Sequence, residues 1–282
     1  MLPATLVSAI EAATGAPPRD VRALSGGCVG EVYGLVAAGE RHALKVDRRR
    51  SGVLRIEGRM LDYLARHTAL PAPRHIASGA DFLLMSWVEG SPGGADADAA
   101  LHLAALHDIG ADAYGFDFDT VIAGLHQPNP WTPRWLEFFA ERRLVEMARQ
   151  AFDAGQLPRP LLAQTERLAA RLSGLLDEPA RPGLVHGDVW SGNVLTRGGA
   201  VAGFVDPALY FADPEVELAF ITLFATFDAA FFRRYAERRP LSPDFHAVKR
   251  DLYNLYPLLV HARLFGGAYV TQVAAILRRF AG

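Results

Sequence analysis

The sequence is poor in the residues that mark several common classes of protein. It contains one cysteine, Cys28, in 282 residues, so no intrachain disulfide can form. A single thiol fits a reducing compartment, and we expect a cytoplasmic protein. No apolar run reaches the roughly 18 residues of a transmembrane helix, so no membrane contact is expected. The first residues lack a basic leader and Glu11 interrupts their apolar run, so a signal peptide is not expected either.

An excess of charge of one sign is also lacking. The chain has 29 lysines and arginines against 31 aspartates and glutamates, for a formal net charge of −2. Nucleic-acid-binding proteins usually carry a basic stripe, so we expect no nucleic-acid partner. Half of the residues are hydrophobic, which is enough for a sizeable core.

Hydrophobic periodicity divides the chain into two unequal parts. The first part predicts a short N-terminal helix, several strands and one longer helix. We predict strands at residues 21–25, 31–37, 41–46 and 82–88, and a helix at residues 51–67. After Glu89, a cluster of glycines and a proline marks a linker, and the chain is mostly helical from about residue 98. We therefore predict a small sheet-containing lobe at residues 1–86 and a larger, mainly helical lobe at residues 87–282. The proline-rich segment Gly124–Pro133 is expected to be a loop.

The most informative segment of the sequence is LVHGDVWSGNVLTRGGAVAGFVD, at residues 184–206. Residues 194–196 and 201–205 can pair as a hairpin across the turn at Gly198 and Gly199. That pairing would bring Asn193 and Asp206 side by side, with Asp188 on the loop before them. Two oxygen ligands beside a free carboxylate suit phosphoryl transfer from ATP, with Mg²⁺ bound by Asn193 and Asp206 and Asp188 as the base.

A lysine and a glutamate in the first part strengthen this prediction. Lys45 lies in the strand pattern HALKV and shares a face with Ala43. Taken alone, such a lysine would be typical of a solvated edge strand. Glu57, however, falls on the apolar face of its predicted helix, where an unpaired carboxylate is costly. We therefore expect Lys45 and Glu57 to form the pair that directs a lysine toward ATP phosphates in kinases.

Two further segments are candidates for nucleotide contacts. The turn SGGCVG contains Gly26, Gly27, Cys28 and Gly30, and its backbone N–H groups could cover phosphates, although most such turns only reverse the chain. It is not a Walker A loop, because no Gly-Lys-Ser/Thr follows.

In the segment that joins the two lobes, Met85, Ser86 and Val88 could bind the adenine edge. A plain buried strand end is the alternative interpretation of that segment. His186 precedes Asp188 by two residues and is expected to brace the loop rather than to act as a catalyst.

Several motifs together resemble one family of kinases. They are SGGCVGEVY, HQPNPWTPRWLEFFAERRL, HGDVWSGNVL, FVDPALYFADPEVELAF and LYNLYPLLVHARLFGG. The chain is similar from Ser25 to Phe280 to the fructosamine kinases, or ketosamine-3-kinases, of the aminoglycoside-phosphotransferase-like branch of the protein kinase fold. HGD alone occurs in several small-molecule kinases, whereas the following Trp190 is specific to this family. The fold implied is α+β and bilobal, with a small antiparallel-sheet N-lobe and a larger, mainly helical C-lobe.

The resemblance implies an ATP- and Mg²⁺-dependent transfer of phosphate to the sugar O3 of a ketosamine, carried by a small molecule or a protein. The phosphate on C3 is a good leaving group, and its elimination frees the amine, so the reaction would initiate deglycation. Family resemblance and placement also make Trp190, Asn129, Trp131 and His261 candidate substrate contacts. Four aromatic residues of this region could equally belong to the core, namely Trp131, Trp135, Phe138 and Phe139.

Some interpretations remain open at this point. The acceptor could be an aminoglycoside, choline or another amino-alcohol, and a silent nucleotide-binding pseudokinase is a third reading. Glu215 is expected to cap a helix and Glu217 to brace the catalytic loop. Oxidation of Cys28 in the glycine turn could disturb ATP binding. We expect a monomer, with a dimer as the alternative.

Overall fold

The computed structural model describes residues 2–24 and 30–280, and its N-terminal part is built on a five-stranded antiparallel sheet. The strands follow the spatial order β1-β2-β3-β5-β4, and helices α1 and α2 pack against them. The bounds are α1 Ala4–Thr14, β1 Arg19–Leu24, β2 Glu31–Ala37, β3 Glu40–Val46, α2 Val53–His67, β4 His75–Ser78 and β5 Phe82–Ser86. The strands and the helix predicted for this region are confirmed, with ends that differ by no more than two residues.

The two faces of the sheet carry different side chains, as the alternation along β3 predicts. Leu44 and Val46 pack in one apolar cluster with Leu6 and Ile10 of α1. Ala43 packs on the opposite face in a cluster that includes Leu54 and Leu61 of α2. Lys45 shares this second face, so its side chain is directed toward α2 and away from solvent.

The rest of the described chain is mainly helical, as predicted. One long helical run contains a wide π-helical turn at Phe139–Val145 between α4 and α5. The helices are α3 Asp96–His107, α4 Trp135–Phe138, α5 Glu146–Asp153, α6 Arg159–Ala169, α7 Glu215–Leu223, α8 Ala229–Ala236, α9 Arg250–Phe265 and α10 Ala268–Arg279. Their apolar faces bury one large core, in which Trp135, Phe138, Phe139 and Tyr253 have no exposed surface. Among the described residues, no helix is long and apolar enough to cross a membrane.

Short strands complete this part of the chain and position the segment that carries Asp188 and Asn193. They are β6 Ser91–Pro92, β7 Thr120–Ile122, β8 Leu125–Gln127, β9 Gly183–Val185, β10 Val194–Arg197, β11 Ala200–Phe204 and β12 Tyr210–Ala212. Strand β6 pairs with β10, and β9 pairs with β12. The chain therefore leaves the first sheet at the end of β5 and adds a strand beside the hairpin of β10 and β11. The lobe boundary between residues 86 and 87 stays a prediction.

The predicted hairpin is present, but its register differs from the expected one. Strands β10 and β11 pair across Gly198 and Gly199, which have φ angles of 61° and 81°. A two-residue turn favours such positive angles, and a bulge follows between Leu195 and Thr196. As a result, the carbonyl of Asn193 accepts a hydrogen bond from the N–H of Val205 at 2.9 Å, one residue before the predicted partner Asp206.

The prediction that residues 124–133 form only a loop is wrong for the first part of that segment. Residues 125–127 form β8, which pairs with β7 around a turn at Ala123 and Gly124. Both turn residues have positive φ angles, of 48° and 78°. The prolines that motivated the loop prediction lie beyond the strand, at residues 128, 130 and 133.

Candidate active site

The predicted pair of Lys45 and Glu57 is formed, and a third residue joins it. The Nζ atom of Lys45 lies 2.7 Å from Oε1 of Glu57 and 2.6 Å from Oδ1 of Asp206. Lys45 is 6% exposed and Glu57 7% exposed, so water does little to weaken the contact. Burial alone would lower the pKa of Lys45, but the two carboxylates outweigh it and raise the pKa above its usual value. The lysine is therefore held as a cation between two segments that are 149 residues apart in sequence.

Asp206 adopts a backbone conformation that few residues other than glycine adopt. It follows β11 with a φ of 58°, in the left-handed region, where a side chain costs energy. Its side chain is 34% exposed, so it lies at the edge of the buried pair rather than within it. The turn thus directs a carboxylate toward Lys45 and leaves part of it accessible.

Asp188 and Asn193 are connected through a short 3₁₀ turn at Ser191–Asn193. The Nδ2 amide of Asn193 donates to the backbone carbonyl of Asp188 at 2.9 Å and to its Oδ2 at 2.8 Å. Burial, reinforced by the nearby carboxylate of Asp206, raises the pKa of Asp188 to about 7. A carboxylate with that pKa can accept or orient a proton near neutral pH.

The backbone of the loop that carries Asp188 is held by Glu217, as predicted. Oε1 of Glu217 accepts from the N–H of Gly187 at 2.6 Å, and Oε2 lies 3.4 Å from the N–H of His186. Gly187 has a φ of 87°, and a Cβ there would lie 2.2 Å from the carbonyl oxygen of Ala208. Only glycine fits at this position, which lies directly before Asp188. His186 is fully buried, consistent with the bracing role expected for it.

Two residues that the sequence analysis did not identify connect Glu217 to two further helices. Nε2 of His107, on α3, lies 2.8 Å from Oε2 of Glu217, and its Nδ1 lies 2.7 Å from the hydroxyl of Tyr235, on α8. Burial would raise the pKa of Glu217, but its hydrogen bonds with His107 and with the N–H of Gly187 act in the opposite direction, and the pKa lies below its usual value. Glu217 therefore stays ionised where it accepts the backbone N–H groups. No local motif singles out either residue, because the three positions are brought together only by the fold.

The donor atoms of Asn193 and Asp206 fit a Mg²⁺ ion. Since Nδ2 of Asn193 donates to Asp188, its Oδ1 is the atom left for a metal, and Asp206 supplies carboxylate oxygens. Mg²⁺ takes oxygen ligands and is commonly held by one or two carboxylates together with substrate phosphates. In the described residues, no cluster of three or more acidic, histidine or cysteine side chains forms a separate metal site.

The glycine turn is only partly within the described residues. Gly26, Gly27 and Cys28 lie outside them, so the predicted phosphate contacts and the oxidation of Cys28 remain hypotheses. Gly30 is described and has a φ of 71°. A Cβ there would lie 2.1 Å from the carbonyl oxygen of Val46, so the backbone requires glycine at this point.

In the predicted adenine-binding segment, Ser86 is hydrogen-bonded to a neighbouring segment of the N-terminal part. The N–H of Ser86 donates to the carbonyl of Arg74 at 2.9 Å, and Oγ of Ser86 accepts from the N–H of Arg74 at 2.8 Å. The N–H and Oγ of Ser86 are therefore already bonded within the sheet, and a contact of adenine with other backbone groups near Ser86 stays a prediction. Met85 is buried beside Leu54 and Leu61 of α2. A contact of adenine with Val88 stays a prediction.

The candidate acceptor residues differ in accessibility. Trp190 is 40% exposed and Trp131 is 45% exposed, the latter against Phe211 with ring centres 5.8 Å apart. His261 is half-buried, and its ring contacts Phe224 and Tyr269, each at 4.9 Å between centres. Trp190, Trp131 and His261 can therefore still be reached by a ligand. Trp135, Phe138 and Phe139 are core residues, which settles the alternative left open for them.

Asn129 cannot contact a substrate in the way predicted. It is 1% exposed, and its Nδ2 donates to Oγ1 of Thr120 at 2.7 Å and to the carbonyl of Phe118 at 3.3 Å. Its Oδ1 accepts from the buried guanidinium of Arg143 at 2.6 Å. All the polar atoms of this side chain are used inside the protein, so Asn129 shapes the loop that carries Trp131.

Glu215 also has a different role from the expected helix cap. It begins α7, but its carboxylate accepts from the N–H and hydroxyl of Ser242, each at 2.6 Å. It also pairs with Lys249 at 2.8 Å. The residue thus ties the start of α7 to the segment before α9.

Comparisons with known proteins identify the family to which the chain belongs. The fructosamine kinase family profile matches residues 3–281. A probable ketoamine kinase of Synechocystis is 36% identical, over 98% of this chain and 95% of its own length. A chloroplastic protein-ribulosamine 3-kinase of Oryza sativa subsp. japonica is 30% identical, over 91% of this chain and 77% of its own length.

Solved structures show the same architecture. A candidate fructosamine-3-kinase from Thermobifida fusca superimposes with a TM-score of 0.87 at 29% identity, covering 98% of both chains. An aminoglycoside phosphotransferase, APH(4)-Ia, has a TM-score of 0.64 at 20% identity, covering 98% of this chain and 99% of its own, which shows a shared kinase-like fold. The predicted α+β, protein-kinase-like architecture is therefore confirmed. With a family match over nearly its whole length, the chain belongs to the fructosamine kinase family.

Proposed function

We propose that this protein transfers the terminal phosphate of ATP to the sugar O3 of a ketosamine and so initiates deglycation. Membership of the family makes it a phosphotransferase, and the names of the Synechocystis and rice relatives point to ketoamines and ribulosamines as acceptors. The observation that carries the proposal is the contact of Lys45 with both Glu57 and Asp206. The charges of Lys45 and Asp206 also act on the nearby Asp188. This arrangement supplies a fixed cation and a free carboxylate for one reaction.

Lys45 would bind the phosphates of ATP. Glu57 keeps its ammonium group directed away from α1 and holds it charged, so little reorganisation is needed when a nucleotide enters. Asn193 and Asp206 would hold Mg²⁺, which when bound neutralises charge on the phosphates. The glycine turn would cover the phosphates from the other side, and Met85 and Val88 would line the adenine end.

Asp188 would orient the acceptor hydroxyl and receive its proton. Its pKa of about 7 in the free protein reflects burial and the Asp206 carboxylate, and cationic groups bound nearby would favour its ionised form. The hydrogen bonds from Asn193 fix the carboxylate relative to the metal ligands. The proton of the O3 hydroxyl would thus move to Asp188 as the new P–O bond forms and the bond to ADP breaks.

The acceptor side would be formed by Trp190, Trp131 and His261. Aromatic faces suit the C–H surfaces of a sugar, and burial lowers the pKa of His261, which favours its neutral form. A neutral, aromatic site fits a ketosamine better than the strongly acidic site that a polycationic aminoglycoside would favour. We further propose that the protein works as a monomer in the cytoplasm, without nucleic-acid or membrane partners.

A panel of acceptors tests the proposal. ADP formation would be measured with a ribulosamine, a fructosamine, choline and an aminoglycoside, each with ATP and Mg²⁺. We expect turnover with the ketosamines and none above the no-acceptor background with the other two. Turnover confined to choline or the aminoglycoside would overturn the proposal, and ATP binding without turnover of any acceptor would favour a pseudokinase.

A further inference from the structure

Arg143 is a charged side chain that is completely buried. It lies on the π-helical turn Phe139–Val145 and has no exposed surface. Its guanidinium lies over the ring faces of Phe138, Tyr210 and Tyr256, at 4.5, 3.9 and 5.5 Å from the ring centres. Aromatic faces stabilise a cation that is withdrawn from water. A neutral side chain would fill the same space at a lower cost, so the charge at this position indicates a role beyond packing.

Two nitrogens of Arg143 donate to the loop that precedes Trp131. Nη2 donates to Oδ1 of Asn129 at 2.6 Å, and Nη1 donates to the carbonyl oxygen of Pro128 at 2.9 Å. Hydrogen bonds from a charged group are stronger than those between neutral groups. The guanidinium therefore holds two successive residues of this loop directly before Trp131.

The same loop is joined to the segment that follows the proposed metal ligand Asp206. Nδ2 of Asn129 donates to Oγ1 of Thr120 at 2.7 Å, and that hydroxyl donates to the carbonyl oxygen of Leu209 at 3.2 Å. Asn129 and Thr120 are at most 1% exposed, so water does not compete for these bonds. A continuous buried path thus runs from Arg143 to the chain just after Asp206.

A second path reaches the loop that carries Asp188. Nε2 of Gln127 donates to the carbonyl oxygen of Ala208 at 3.2 Å, and the N–H of Ala208 donates to the carbonyl oxygen of His186 at 2.7 Å. Gln127 ends β8, directly before the loop that Arg143 holds. The position of that loop is therefore fixed relative to both the proposed metal ligand and the proposed base.

We propose that Arg143 is a positioning residue for the acceptor, which holds the loop of Trp131 where the tryptophan ring meets the ketosamine sugar. This inference rests on the proposed function and deepens it, because it assigns a residue to the acceptor side alone. Arg143 acts through Trp131 and not on the reacting atoms. The base has its own support, because Asn193 donates to Asp188 and Glu217 accepts from the backbone before it.

Arg143→Met is expected to raise the KM for a ribulosamine about tenfold, which corresponds to about 1.4 kcal/mol of lost binding. The KM for ATP and the turnover number should stay close to those of the wild type, because the base and the phosphate-binding residues keep their contacts. A general loss of folded protein gives a different result. It lowers the apparent turnover number and changes neither KM.

Two further variants serve as controls. Arg143→Lys keeps a cation for the aromatic faces but lacks the planar fork that reaches Asn129 and Pro128 together, so the KM for the ribulosamine should rise by a smaller factor. If Arg143→Met does not fold, this variant carries the test. The matched control is Arg142→Met, the same change at an exposed arginine on the same π-helical turn. It should leave the KM for the ribulosamine and the KM for ATP unchanged.

A double variant tests whether Arg143 acts through Trp131. Trp131→Ala alone should raise the KM for the ribulosamine at least as much as Arg143→Met does. Adding Arg143→Met to Trp131→Ala should raise it little further, because the ring that Arg143 positions is already absent. Fully additive effects would show that the arginine acts elsewhere and would overturn the inference.

The outcomes separate this inference from the function on which it rests. If the wild type phosphorylates the ribulosamine but the Arg143 variants change only the turnover number, Arg143 has a structural role alone and this inference fails. An equal rise in the KM for ATP would also overturn it. If the wild type does not phosphorylate the ribulosamine at all, the proposed function itself fails.

Discussion

Asp188→Asn is expected to lower the turnover number by about 10²- to 10⁴-fold, the range typical for loss of a general base. The substitution preserves shape, because an Asn side chain at position 188 still offers an oxygen to Nδ2 of Asn193. It removes the group that receives the acceptor proton and leaves Lys45 and Asp206 in place. The affinity for ATP, measured by fluorescence or calorimetric titration, should therefore stay within about twofold of wild type.

The control for this variant is Asp153→Asn, an exposed aspartate at the end of α5. It makes the same chemical change far from the catalytic loop in sequence and should not alter turnover. An Asp188→Asn protein with near-normal phosphorylation would show that Asp188 is not the base. Loss of ATP affinity in parallel with turnover would instead indicate that Asp188 contributes to nucleotide or metal binding.

Lys45→Met is expected to reduce both activity and stability. Without the ammonium group, Glu57 is left buried and unpaired, with the Asp206 carboxylate close by. Breaking a buried ion pair by removing one partner typically costs about 3–5 kcal/mol. We therefore expect the free energy of unfolding, measured by chemical denaturation at pH 7, to fall by about that amount. Phosphoryl transfer should fall to background because the phosphates lose their fixed cation.

A double variant separates the loss of the ion pair from any loss of packing that Lys45→Met causes. Lys45→Met combined with Glu57→Gln removes the buried negative charge as well, and it should recover a large part of the lost stability without recovering activity. If the double variant is as unstable as Lys45→Met alone, the loss comes from packing around position 45. Equal stability of Lys45→Met and wild type would contradict a buried pair in solution.

Local sequence patterns predict well the features that depend on residues close together in sequence. The alternation in HALKV placed Lys45 opposite Leu44 and Val46, and the helical spacing of Glu57 placed it on the buried face of α2. Together these two patterns sufficed to predict the salt bridge. The hairpin after Asn193 followed from two glycines between strand patterns. Its register was not predicted, because it is set by the exact position of the two-residue turn together with a bulge between Leu195 and Thr196.

The features that could not be predicted depend on residues far apart in sequence. His107, Glu217 and Tyr235 lie on three different helices, and their contact follows from how those helices pack. The contacts of Asn129 also depend on distant residues, because its side chain is hydrogen-bonded to Arg143 and Thr120 and is not available to a ligand. A polar residue in a loop next to an exposed tryptophan gives no local indication of whether it faces the interior.

The central claim is that the phosphate is transferred to O3 of a ketosamine, and the position of the phosphate in the product tests it most directly. A ribulosamine would be incubated with the protein, ATP and Mg²⁺, and the product examined by phosphorus–proton correlation NMR before it decomposes. We predict a phosphorus signal coupled to the proton on C3 of the sugar, followed by release of the free amine. A phosphate on another hydroxyl, or an unmodified ketosamine in the presence of active ATP turnover on a different acceptor, would contradict the account.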